Sequence, residues 1–281
     1  MNQTMTIARH GPRRPGGAAG AERARAGLAD ALWAEWTKLR TVPGTAWILA
    51  AICVLTVAVG AATAAATRCG PGTGCPIDPT KVSLTGIQVG QAVVAVLAVL
   101  VISGEYSTGM IHTTFTAMPR RWMVLAAKAA VLTGLVLAVA VVAVAGSLAA
   151  GRLLLAGHGV IVAHAIAGPV IRAAAGSVLY LALIGLLALG IATIVRDSAA
   201  ATGAVLGLLY IPPAIALFLG GDPAWQRWVE RYTPVNAGLA ILNTTGLRNL
   251  VISPWAGLGV LALWAAGALI LGGLMLRFRD A

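Results

Sequence analysis

Gly104 and Gly109 stand at the GxxxxG spacing of a phosphate-binding loop. Such a loop continues with Lys and then Ser or Thr, which reach the phosphates and the metal. Here Met110 and Ile111 occupy those places, so the spacing holds no nucleotide. The chain has no HExxH zinc pair and no serine within a GxSxG elbow. His112, His158 and His164 lack ligand spacing and read as ordinary surface histidines. The chemistry left to the polar stretch GEYSTGMIHTTFTAMPRR, Gly104 to Arg121, is contact rather than catalysis. Ile111, Phe115 and Met118 fall at i, i+4 and i+7, one apolar stripe before Pro119. Glu105 sits where a span meets water and can pair with Arg or cap a turn. Arg120 and Arg121 suit the headgroup layer. On residues alone the stripe packs on the chain's own spans and the arginines set topology. Docking of the stripe into a partner's groove is the alternative.

Three other polar sets have a use. Gln88 and Gln91 lie three apart on one face of an apolar run, where they line a path or hold helices together; interhelical hydrogen bonding is the commoner use. Cys69 and Cys75 share a Gly- and Pro-containing loop and can form a disulfide outside the cytoplasm. Cys53 lies mid-run and reads as a small apolar residue. Catalysis and metal binding by this chain have no residue set to rest on, so no catalytic residue and no bound cofactor or metal is expected.

The elements that position these residues follow from composition. The chain has 281 residues, of which 59% are hydrophobic and 10% charged. Soluble domains carry about a quarter charged residues, so lipid is the solvent for most of this chain. The net charge is +11, but the cations flank apolar runs without forming a stripe, which speaks for membrane orientation and against nucleic acid. Six apolar runs are long enough to cross a bilayer as helices. They cover about 44–67, 82–104, 129–151, 173–195, 199–221 and 252–276. No Asp, Glu, Lys or Arg falls clearly within a span interior on this reading. With the N-terminus inside, thirteen of the 20 Lys and Arg lie inside and seven outside, which places both termini in the cytoplasm. The first run is longer than the core of a cleaved signal and reads as a true span.

Residues 1–27 are rich in Gly, Ala, Pro and Arg and are expected to be disordered. Leu28, Leu32, Trp36 and Leu39 then fall on one helical face. With Trp33 and Trp36 at headgroup level, and Lys38 and Arg40 at the C-terminal end, this reads as a short amphipathic helix on the inner surface. Pro43 and Gly44 separate it from the first span. Pro212 and Pro213 should kink or break the fifth span. Small-xxx-small spacings occur at Gly86/Gly90 and Gly203/Gly207. Between spans five and six, Trp225 and Trp228 stand in an amphipathic patch. Beyond them the apolar piece from Asn236 to Leu242 is too short to cross. It dips into the outer leaflet and returns, or belongs to a surface helix.

Gly104-Glu105-Tyr106, Gly109-Met110-Ile111, Pro119 with Arg121, and Lys128 together resemble the cytoplasmic loop of ABC-2 type transporter permeases. Glu35-Trp36-Thr37-Lys38-Leu39-Arg40-Thr41 resembles the segment before their first span, particularly in the high-GC Gram-positive branch. Tyr232-Thr233-Pro234-Val235-Asn236-Ala237 is similar to a looser family pattern. The resemblance covers residues 28–281. It implies an all-α polytopic fold in a bacterial plasma membrane, with six spans, an N-terminal interfacial helix, a coupling helix between spans two and three, and re-entrant helices between spans five and six. It also implies the membrane subunit of an ATP-driven exporter, paired with a second permease copy or a relative. Separate cytoplasmic ATPase subunits would bind the ATP and Mg. The alternative is a structural or signalling subunit that couples an ATPase to an outside partner. The ATPase-coupling residues would be Glu105, Tyr106, Met110, Ile111, Phe115, Met118, Pro119, Arg120 and Arg121. The interfacial helix would present Leu32, Trp33, Trp36, Lys38, Leu39 and Arg40.

Overall fold

The structure, a computed structural model, describes residues 17–68, 77–107, 121–157, 168–218 and 223–278. Long uninterrupted runs of Ala, Leu and Val satisfy their backbone hydrogen bonds within a helix, and among the described residues every regular element is helical. The first two helices are α1 (Gly17–Thr41) and α2 (Pro43–Ala66). A short α3 (Pro79–Ser83) precedes α4 (Ile87–Ser107), and α5 (Arg121–Gly157) and α6 (Gly168–Val195) follow. Then come α7 (Ser198–Phe218), α8 (Pro223–Tyr232), α9 (Pro234–Leu239) and α10 (Pro254–Phe278). Six of these, α2, α4, α5, α6, α7 and α10, are long and apolar enough to cross a membrane. The chain is an all-α polytopic membrane protein. Because the spans alternate in direction, α1 lies at one end of the bundle, and α3, α8 and α9 lie at the far end.

The bundle is built around α6. It packs on α4, α5, α7 and α10, and 61% of its most apolar stretch is buried, against 17% for α7 at the periphery. Its buried residues include Tyr180, Leu181, Ile184, Leu187 and Leu189. The core joins these to Val94, Leu97, Leu132, Val136 and Leu261.

Several boundaries differ from the sequence reading. Helix α1 starts at Gly17, so residues 17–27 are helical and not part of a disordered tail. Only 1–16 lie outside the described residues there. The break before the first span is present: Val42 is extended and Pro43 takes the first helical position, where its missing N–H costs nothing. Helix α5 runs about two turns beyond each end of the expected span. Its 37 residues reach about 55 Å at the usual rise, longer than a hydrocarbon core of about 30 Å. Lys128 therefore lies inside a helix, in the part that precedes the expected span, and is buried. Pro212 and Pro213 do not break α7, which continues to Phe218. The Tyr210 hydroxyl donates to the Gln88 carbonyl at 2.5 Å and ties α7 to α4 just below them.

The two glycine spacings separate clearly. A Cβ on Gly86 would lie 1.9 Å from the Thr56 carbonyl oxygen, and one on Gly90 would lie 2.3 Å from Thr56 Oγ1. Both are close-approach points between α2 and the α3–α4 segment. Gly203 has nothing within 4 Å, and the nearest neighbour of Gly207 is Ile211 on the same helix. That pair packs against nothing within the described chain.

Candidate functional site

The polar side chains gather at the two ends of the bundle. At the α1 end, Ala31 and Glu35 are one turn apart, and both are buried where α1 lies on α5. The small Ala31 lets the helices approach, and the Glu35 carboxylate then meets the Lys128 ammonium. Nζ to Oε2 is 2.7 Å, and the other oxygen, Oε1, accepts from Lys38 at 3.1 Å. Glu35 is 5% exposed and Lys128 3%. A charge so placed persists only when paired.

A helix covers the segment expected to lie at the interface, and its protein-facing stripe is Ala31–Glu35. Leu32, Lys38 and Leu39 are half-buried, Arg40 is exposed, and Trp33 and Trp36 face outward, Trp33 at 73% exposure. The outward indoles suit a headgroup layer. Glu105 and Tyr106 fall in the last turn of α4, and Arg121 opens α5. Met110, Ile111, Phe115, Met118, Pro119 and Arg120 lie outside the described residues, as do Cys69 and Cys75.

The two glutamines play different parts. Gln91 is buried, and its side-chain oxygen accepts from the Tyr180 hydroxyl, joining α4 to α6. That is the packing role. Gln88, one turn nearer the far end, is exposed and lines a cleft.

The far end is organised by Asp78, which opens the stretch Asp78-Pro79-Thr80-Lys81. Asp at the N-cap followed by Pro at the first position is a strong helix start. Asp78 Oδ1 accepts from the amides of Thr80 and Lys81 at 3.1 and 3.2 Å. The same carboxylate accepts from the Thr244 amide at 2.5 Å, the Thr244 hydroxyl at 2.6 Å and the Thr245 amide at 3.1 Å. Partial burial pushes the Asp78 carboxyl up, but these hydrogen bonds, from Thr244, Lys81 and Thr245, outweigh it and hold the group below its ordinary 3.8. Arg172 on α6 donates to the neighbouring Asn243 carbonyl at 2.6 Å. Two separate elements thus pin the loop that follows α9.

That loop matters because α9 and the turn Ala240–Leu242 are wedged into the bundle. Val235, Ala237, Ile241 and Leu242 are buried, against α6 and α10. A Cβ on Gly257 of α10 would lie 1.9 Å from the Ala237 carbonyl oxygen. The segment is buried in protein, the condition under which short irregular backbone is tolerated at membrane depth. Helix α8 covers it. Trp225 and Trp228 stack at 5.3 Å on its exposed side, and Val229 is buried beneath.

Below α8 is a cleft of about 470 Å³ with polar walls of Lys81, Gln88, Gln226, Glu230, Asn236 and Asn243. Apolar residues, among them Leu239, Leu242, Leu250, Val251 and Ile252, line the rest. Two further grooves, one over α6 between α7 and α10 and one between α2 and α4, are lined almost wholly by apolar residues. Among the described residues no group of three His, Cys, Asp or Glu is placed to hold a metal. Sequence reading missed the Glu35–Lys128 pair and the Asp78 hub. The first had a trace, an acidic residue at the start of the Glu35–Thr41 motif, and the second had the Asp-Pro helix start.

In comparison with known proteins, no family model and no curated protein matches the chain.

Proposed function

We propose that this chain is the membrane-spanning permease subunit of an ATP-driven exporter of the ABC-2 type, with hydrolysis in separate cytoplasmic ATPase subunits. The observation that supports it most is the buried Glu35–Lys128 pair. It fastens the amphipathic helix before the first span to the start of the third, and α4 also ends at that end of the bundle. Force applied there by a partner would reach α1 and α5 together. A long helix such as α5 would carry it toward the far end, where the wedge α9 and its cleft lie. In this reading the α1 end is cytoplasmic, the membrane is a bacterial plasma membrane, and a second permease copy or relative completes the transporter. ATP and Mg belong to the partner, and nucleotide biases the bundle between two access states.

The test is recovery of the complex. Phe115→Asp and Met118→Asp place a charge on the apolar stripe that would dock on the ATPase. Each is expected to lower co-purification of the cognate ATPase at least tenfold while membrane insertion stays intact. Unchanged co-purification and transport would overturn the docking role.

A further inference from the structure

We propose that the far-end cleft is a binding site for small, peptide-like amphipathic molecules that are uncharged or zwitterionic overall. Its lining dictates the class. Gln88, Gln226, Asn236 and Asn243 bring four carboxamides to one space. A carboxamide both donates and accepts, so it matches amide and hydroxyl groups and does not need a charged partner. Among the described residues the charged ones in the lining are Lys81 and Glu230, of opposite sign and both exposed. Among the described residues no ion pair takes up either one. A ligand with a single net charge gains one of them and faces the other as a like charge, whereas a neutral or zwitterionic ligand meets neither penalty. Leu239, Leu242, Leu250, Val251 and Ile252 supply the apolar remainder. The volume, about 470 Å³, lies in the range of small-molecule sites.

The site is also bounded in depth. Gln91, one turn below Gln88, already accepts from Tyr180 and is buried. Asp78 and Arg172 hold the Asn243–Thr245 wall from outside. The cleft is therefore a preformed vestibule at the end of the bundle, and binding there needs no ATPase. Its failure and that of the permease reading are separately observable.

The experiment uses the full chain in lipid nanodiscs, with empty nanodiscs as the control, and one peptide frame in four charge states. The probes are acetyl-Leu-Leu-amide (neutral), Leu-Leu (zwitterionic), acetyl-Leu-Leu (anionic) and Leu-Leu-amide (cationic), followed by tryptophan fluorescence and thermal shift. The neutral and zwitterionic probes are expected to bind at least tenfold tighter than the singly charged ones. Lys81→Gln is expected to raise affinity for the cationic probe, and Glu230→Gln for the anionic one. Both positions are exposed, so the fold is retained. Gln88→Leu with Asn236→Leu should weaken the neutral probe at least tenfold. Absence of binding by all four probes to the wild-type chain, or equal binding by all four, overturns the assignment. So does an unchanged charge preference in both single-charge variants.

Discussion

Glu35 and Lys128 are the charged residues whose environment leaves them least freedom. They come from helices 93 positions apart in sequence, and both are withdrawn from solvent. Removing one leaves the other buried, a change that costs about 3–5 kcal/mol in comparable pairs, whereas replacing both by apolar residues is often neutral. Glu35→Gln and Lys128→Met should each destabilise the protein by about 3 kcal/mol or more. Lys38, which shares the carboxylate, leaves Glu35 one remaining cation in the second variant. The double variant Glu35→Leu with Lys128→Met should be more stable than either single one. Denaturation in mixed micelles measures all three, and a strictly additive cycle would show that the two residues are not coupled. Neither residue stood out in the sequence for this role. Lys128 read as a flanking cation because the apolar run begins at Ala129, and only the covering helix α1 makes that position buried.

At the scale of elements, Asp78 and the α2–α4 contact each make a prediction. The carboxyl of Asp78 is held below its ordinary value, so the fold favours its ionised form. Its contribution is complete above pH 3.8 and is lost as the pH falls through the lowered folded value. Hydrogen exchange of the Thr244 and Thr245 amides should therefore accelerate in acid below that range. Asp78→Asn should raise exchange at neutral pH and remove the acid dependence. The glycines give a second contrast. Gly86→Val drives a side chain into the Thr56 carbonyl and should cost about 1–3 kcal/mol or more, while Gly203→Val meets open space. Melting of the two variants side by side checks this, and equal losses would contradict the packing described. The spacing of small residues was visible in the sequence at both sites. Which pair lies between helices was not, because spacing defines a face and neighbours decide what covers it.

For the whole molecule, sequence alone determined the class. Apolar runs of twenty or more residues must become helices in lipid, since no other local structure satisfies every backbone group. That fixed six spans, their order and the break at Val42–Pro43. It also marked the Asn236–Leu242 piece as too short to cross. Tertiary structure decided what the polar residues do. It assigned Gln91 to Tyr180 and Gln88 to a cleft, wedged α9 between α6 and α10, and turned Asp78 into a hub for a loop 166 positions away. The division has a physical cause. Helix formation in hydrocarbon is a local requirement of each segment, written in its composition. The pairing of rare polar groups depends on which helices adjoin and at what height, and that is settled only when the bundle packs.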